Sequence, residues 1–179
     1  AGKELNFVRQ IAQQTQQYAS VIKDAASKVP VQVTYPSGNS LADQLKIVAR
    51  LIKGGLQTRV YMVNFSGFDT HASQVNSTDK TTGTHANLLM RVSEAIKAFQ
   101  DDLKFLGVDD RVTGMTFSEF GRRIRSNAST GTDHGTAAPM FVFGKQVLGG
   151  VLGDTPNFGA NVTVNENLPF QHDFRSVYA

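Results

Sequence analysis

Between two short apolar runs lies a helical stripe, and that order constrains this chain more than any other feature of it. Leu88, Leu89, Val92, Ile96, Phe99 and Leu103 recur at steps close to three and four, which places them on one face of an α-helix. The pattern opens near Thr84 and is stopped by Gly107. Before it, Arg59-Val60-Tyr61-Met62-Val63-Asn64-Phe65 is apolar without alternation; after it come Arg111 and Val112-Thr113-Gly114-Met115-Thr116-Phe117. Short non-alternating runs read as strands covered on both faces, as in parallel sheets. Strand, helix, strand predicts a right-handed βαβ crossover, and Met140-Phe141-Val142-Phe143 reads as a third strand. The expected fold is therefore α/β, a mainly parallel sheet flanked by helices.

Upstream, Leu5, Val8, Ala12, Ala19, Ile22 and Ala26 repeat at helical spacing until Pro30 ends the pattern. Thr34-Tyr35-Pro36-Ser37-Gly38-Asn39 is a loop by its turn chemistry. Ser40 then reads as the cap of a second helix with Leu41, Leu45, Val48 and Ile52 inside, closed by Gly54-Gly55. The expected organisation is a helical lead-in over residues 1–39 and a sheet with long loops over 40–179. This is either one domain or the C-terminal part of a larger one. The last residues, Ser176-Val177-Tyr178-Ala179, fall in what reads as the opening of a helix, so a piece of a longer protein is expected.

Composition narrows the partners. Apolar residues at 40% and charged residues at 18% describe a globular chain. A net charge of +3 without a basic tract argues against nucleic acid, since Arg122-Arg123-Ile124-Arg125 is the nearest approach to one. With no cysteine, disulfides, cysteine-ligated zinc and thiol catalysis are excluded. No apolar run is long enough to cross a bilayer. A nucleophile elbow is missing because Asn64-Phe65-Ser66-Gly67 lacks the leading glycine, and Gly144-Lys145-Gln146 lacks the hydroxyl residue of a P-loop.

The polar residues collect at strand ends. Asp69 and His71 follow the first run, Ser118, Glu119 and Arg122 follow the second, and Asp133 and His134 precede the third. Ligands of open parallel sheets bind outside the carboxyl ends of the strands, so these positions can share one rim. Asp and His suit zinc or a mixed divalent site, and an arginine fork suits phosphate or sulfate. Taken singly, each has a plainer reading. Asp-x-His is most often a turn, His85 beside a helix start is structural or on the surface, and His172-Asp173 reads equally well as a helix cap.

As a set, four segments are specific. Gly67-Phe68-Asp69-Thr70-His71, Ser118-Glu119-Phe120-Gly121-Arg122, Gly131-Thr132-Asp133-His134-Gly135-Thr136-Ala137, and Gly149-Gly150 with Pro169-Phe170-Gln171-His172-Asp173-Phe174-Arg175 resemble the exported bacterial family known as domain of unknown function 1501. That family is grouped with the alkaline phosphatase-like superfamily of phosphatases, sulfatases, phosphodiesterases and phosphomutases. The resemblance implies one divalent metal, zinc first, held by Asp69, His71 and His134. For a second metal it offers Glu119, with Asp133 as substitute. Arg122 and His172 fall on the substrate side. It further implies export to the periplasm, a small anionic ester as substrate, and a nucleophile supplied upstream of this chain. The competing expectation is a non-catalytic exported binding or assembly module that keeps a degenerate metal site.

Overall fold

The structure, a computed structural model, describes residues 2–178. Two compact units divide it: the chain up to Phe65 together with Val92–Asp109, and Ser66–Arg91 together with the chain from Asp110 onward.

The first unit is helical. Helix α1 (Gly2–Ser27) and helix α2 (Ser40–Lys53) lie where the periodicity places them. The cap of α2 is Asn39 rather than Ser40: its side-chain oxygen accepts from the amides of Leu41 (3.2 Å) and Ala42 (3.3 Å), satisfying donors that a helix start leaves unpaired. Helix α3 (Thr84–Phe105) begins in the second unit and ends in the first. Leu41, Ala42, Leu45, Ala49, Leu51 and Ile52 from α2 are buried, as are Ala95, Ala98, Phe99 and Leu103 from α3.

A buried carboxylate joins the two helices through the chain between α1 and α2. Asp102 of α3, fully buried, accepts hydrogen bonds from Gln32 Nε2 (2.6 Å), the Val33 amide (3.2 Å) and Tyr35 Oη (2.9 Å). The same Gln32 amide donates to the Lys46 carbonyl of α2 (2.9 Å), and its oxygen accepts from Arg50 Nε (3.0 Å). Burial, and then the hydrogen bond to and charge of Asp102, push the Tyr35 hydroxyl far above its ordinary pKa. Tyr35 is therefore a fixed donor.

The mainly parallel sheet expected from the sequence does not form. Among the described residues there are four α-helices and two small sheets, each of two antiparallel strands. Arg59–Phe65 forms no strand and belongs to the first unit, whereas Val112–Phe117 belongs to the second. Val60 and Met62 are 83% and 80% exposed, so the run is not covered on both faces. Gln44 takes the place of a neighbouring strand at one point: its side-chain amide accepts from the Asn64 amide (3.1 Å) and donates to the Asn64 carbonyl (2.9 Å).

The second unit carries both sheets and a short helix α4 (Phe174–Tyr178). Strand β1 (Gly114–Met115) pairs with β4 (Val142–Phe143), aligning Gly114 with Phe143. Strand β2 (Gly121–Arg122) pairs with β3 (His134–Gly135), aligning Gly121 with Gly135 and Arg122 with His134. The contact is close at Gly135, where a Cβ would stand 2.4 Å from the Arg122 carbonyl carbon. Only glycine fits there. Each buried apolar side chain named above lies in the first unit, whereas backbone hydrogen bonds between loops are frequent in the second.

Candidate metal centre

Two loops of the second unit are stitched into one platform. The Ser73 amide donates to the Ser129 carbonyl (2.9 Å), Gln74 to Thr130 (3.0 Å) and Thr132 to Thr70 (3.4 Å). Thr132 Oγ1 donates to Gln74 Oε1 (2.7 Å). Ser73 and Thr130 both take positive φ, 50° and 56°, at this crossing. Gly131 lets the strands of chain touch, because a Cβ there would meet the His71 carbonyl carbon at 2.3 Å.

The platform brings Asp69, His71 and His134 together. His134 Nε2 lies 2.7 Å from Asp69 Oδ1, and His71 Nε2 lies 3.1 Å from the same oxygen. One donor atom from each of the three residues fits within a 4.8 Å span. Ligand atoms around one tetrahedral zinc stand about 3.3 Å apart, given bonds near 2 Å. The side chains are open to solvent, Asp69 at 61% and each histidine at 47%.

Each member is oriented by its neighbours. The His134 ring, on β3, stacks on Phe120 with centroids 4.0 Å apart and planes 11° apart. Arg122, its cross-strand partner, covers the Phe120 ring at 4.8 Å. The Arg122 guanidinium donates to the Thr132 carbonyl and to the Phe68 carbonyl (2.5 Å), and stands 3.5 Å from Asp69 Oδ1. Arg122 thus clasps both loops and places positive charge beside Asp69. The hydrogen bond from His134, with the charges of His71, His134 and Arg122 adding to it, holds the Asp69 carboxyl below its ordinary range against the opposing effect of desolvation.

Asp133 sits one bond further out. Its Oδ1 lies 3.1 Å from His71 Nδ1 and accepts from Asn127 Nδ2 at 3.1 Å, while Oδ2 stands 3.9 Å from Arg123 NH1. The hydrogen bonds of His71 and Asn127, in that order, keep its carboxyl below the ordinary range. Glu119 and His172 are exposed and do not join the three-residue group. Arg123 and Arg125 hold the chain at 162–165: Arg123 NH1 bonds Asn165 Oδ1 (2.6 Å) and Arg125 NH1 bonds the Val162 carbonyl (3.0 Å).

Sequence reasoning passed over Phe120 and Asn127. Ser126-Asn127-Ala128-Ser129-Thr130-Gly131 has the composition of an Asx turn, and that was the available signal for Asn127. Nothing local marks Phe120 as the wall behind a histidine fourteen residues away, since their contact is made only by the β2–β3 pairing.

A family model described as a protein of unknown function (DUF1501) matches residues 5–173. The comparison with curated proteins and the comparison with solved structures each gave no match.

Proposed function

This chain belongs to the DUF1501 family, and from that premise we propose that it holds part of a divalent-metal site, zinc first, serving hydrolysis of phosphate or sulfate esters. One observation carries the reading. His71 stands between two carboxylate oxygens, Asp133 Oδ1 at Nδ1 and Asp69 Oδ1 at Nε2, each 3.1 Å away. A neutral imidazole has one ring proton and can donate to only one of them. The other nitrogen then presents a lone pair to an acceptor, a repulsive pairing that a cation between them turns into two bonds.

A second ring proton would also resolve His71. His134 Nε2 meets the same Asp69 oxygen at 2.7 Å, with the two ring centroids 4.7 Å apart, so an ion at that oxygen would have both rings within reach. One divalent ion serves both rings as neutral ligands. Three protein ligands with an open position is the pattern of catalytic rather than structural zinc. When bound, such an ion lowers the pKa of a coordinated water or hydroxyl and neutralises charge developing on an ester oxygen.

The chain's own residues have narrower parts. Asp69 joins the two rings, Phe120 and Arg122 keep His134 and Asp69 in place, and the remaining charge of Arg122 favours an anionic ester nearby. The attacking group is not assigned to any of these residues. Export to the periplasm is part of the same proposal, carried by the family resemblance. Among the described residues no helix is long and apolar enough to cross a membrane.

The exposure of all three ligands favours a second reading, a binding module that keeps the metal without turnover, because catalytic sites are usually concave and water-excluding. Zinc titration by calorimetry with a panel of phospho- and sulfo-esters separates the two. Binding at one equivalent with zinc-dependent hydrolysis, both lost in His134→Ala, supports the enzyme. Binding without turnover leaves the module. A chain that takes up no zinc, cobalt or manganese sinks the metal site itself.

A further inference from the structure

Asn127 has no place in the ligand set, yet it contacts that set from two directions. Its Nδ2 donates to the His71 carbonyl (2.8 Å) and to Asp133 Oδ1 (3.1 Å). An amide nitrogen has two hydrogens, and both are used. Its Oδ1 accepts from the amides of Ser129 (2.9 Å) and Gly131 (3.1 Å), and its own amide donates to the Gly131 carbonyl (2.9 Å). The backbone of His71, through its carbonyl, and the ring of His71, through Asp133, are therefore both referred to one side chain.

We propose that Asn127 is the positioning residue of the metal centre, fixing the backbone of His71 directly and its ring through Asp133. The inference rests on the metal-site reading above. Asp133 Oδ1 and Asp69 Oδ1 face the two nitrogens of His71 at the same 3.1 Å, so an ion taken up between Nε2 and Asp69 would leave the one ring proton to Nδ1, where Asp133 accepts it. Carboxylate–histidine–metal arrangements orient the ring and raise its basicity, and loss of such outer partners costs about 10- to 100-fold in metal affinity. Asp133 alone could swing about its own side-chain torsions. The hydrogen bond from Asn127 to the same oxygen removes that freedom, and the bond to the His71 carbonyl ties the loop carrying Asp69 and His71 to the loop carrying Asp133 and His134. Asp133 then acts from outside the ligand shell, with both oxygens turned to protein groups.

Asn127→Asp is the informative variant. It is nearly isosteric and keeps the oxygen that accepts from Ser129 and Gly131, but it replaces both donated hydrogens with an acceptor facing a carbonyl and a carboxylate. The probe is cobalt(II) alone, followed by its visible absorption on the full 179-residue chain, with zinc affinity by competition. The expected result is a 10- to 100-fold loss of affinity with a changed cobalt spectrum and unchanged circular dichroism. Asp133→Ala, which removes the acceptor at His71 Nδ1 and the oxygen that Asn127 holds, should weaken binding at least as much.

Binding by Asn127→Asp within threefold of the parent chain, with the same cobalt spectrum, would make Asn127 a loop residue only and overturn the proposal. A parent chain that binds no cobalt fails earlier, and removes the metal-site reading on which the proposal stands. If Asn127→Asp loses its fold, Asp133→Ala decides: unchanged affinity with the same cobalt spectrum overturns the proposal equally.

Discussion

His71 and Asp133 are sixty-two positions apart in the chain and meet ring nitrogen to carboxylate oxygen at 3.1 Å. Asp69, two residues from His71, meets the opposite nitrogen of the same ring at the same distance. One imidazole thus separates an inner carboxylate, shared with His134, from an outer one, shared with Asn127.

The two carboxylates should therefore titrate through different histidines. In the metal-free protein both are held below the ordinary value of 3.8, Asp69 first through His134 and Asp133 first through His71. His134→Ala should raise the Asp69 midpoint more than that of Asp133, and His71→Ala should do the reverse. Carboxyl ¹³C shifts followed from pH 7 to pH 2 would read both midpoints. Because the folded-state values are lowered, the stability these groups contribute is present above the ordinary carboxylate range and is lost as pH falls through the lowered values. Equal responses of both aspartates to both substitutions would contradict the inner and outer assignment.

Arg122→Lys should keep the charge and weaken the site. Lysine cannot reach the carbonyls of Phe68 and Thr132 in one planar fork as Arg122 does. Metal affinity is expected to drop about tenfold, the low end of what lost outer partners cost. Calorimetry on Arg122→Lys and Arg122→Ala should show both impaired. Full rescue by lysine would reduce Arg122 to a point charge beside Asp69.

Asp102→Ala tests the first unit. The substitution leaves Tyr35 Oη, Gln32 Nε2 and the Val33 amide without their acceptor. Tyr35 is buried, Gln32 and Val33 are half-buried, and Gln32 Nε2 keeps the Lys46 carbonyl; a stranded buried donor costs about 1–3 kcal/mol, so a loss of about 2–3 kcal/mol is expected in urea unfolding. Asp102→Asn, which keeps one acceptor oxygen, should lose less. A change under about 1 kcal/mol in Asp102→Ala would mean that water replaces the carboxylate.

Thr130→Gly should stabilise. A β-branched residue at a φ of 56° is held in a conformation that costs about 1–2 kcal/mol for L-residues. The glycine loses only the Thr130 hydroxyl bond to the neighbouring Ser129 carbonyl (2.7 Å) and gains freedom in the unfolded chain. The balance is about +0.5 kcal/mol, read as a higher Tm. A fall in Tm would show that the hydroxyl bond outweighs the backbone strain.

The helices were legible in the sequence and the sheet was not, for a physical reason. Leu88 to Leu103 and Leu41 to Ile52 carry a period that only a helix satisfies, and α3 and α2 lie on those residues. Arg59–Phe65 and Val112–Phe117 carry only apolarity, which says that a segment is to be covered and not by what. A strand exists only with its partner. Gly114–Met115 found one in Val142–Phe143, running antiparallel, and Val60–Asn64 found only the amide of Gln44. The positions of Asp69, His71 and His134 at the ends of these runs could be read, but a shared rim at strand ends requires the parallel sheet that does not form. Their actual meeting is made by loop-to-loop hydrogen bonds and the β2–β3 pairing, which no pattern of apolarity encodes.

The polar construction of the second unit sets how its loops move. Opening Ser73–Gln74 away from Ser129–Thr130 breaks hydrogen bonds to water's advantage and exposes little apolar surface. Such openings cost far less than global unfolding and occur without it. The amides of Ser73, Gln74 and Arg123 should then exchange with deuterium sooner than those of α2, even though all are hydrogen-bonded. A ligand that binds only the closed loops slows that exchange by mass action, about 2.7 kcal/mol at a hundred times its dissociation constant. An ion held by Asp69, His71 and His134 would thereby act as the cohesive centre that leucines supply elsewhere in the chain, and deuterium uptake would report its arrival before any chemistry does.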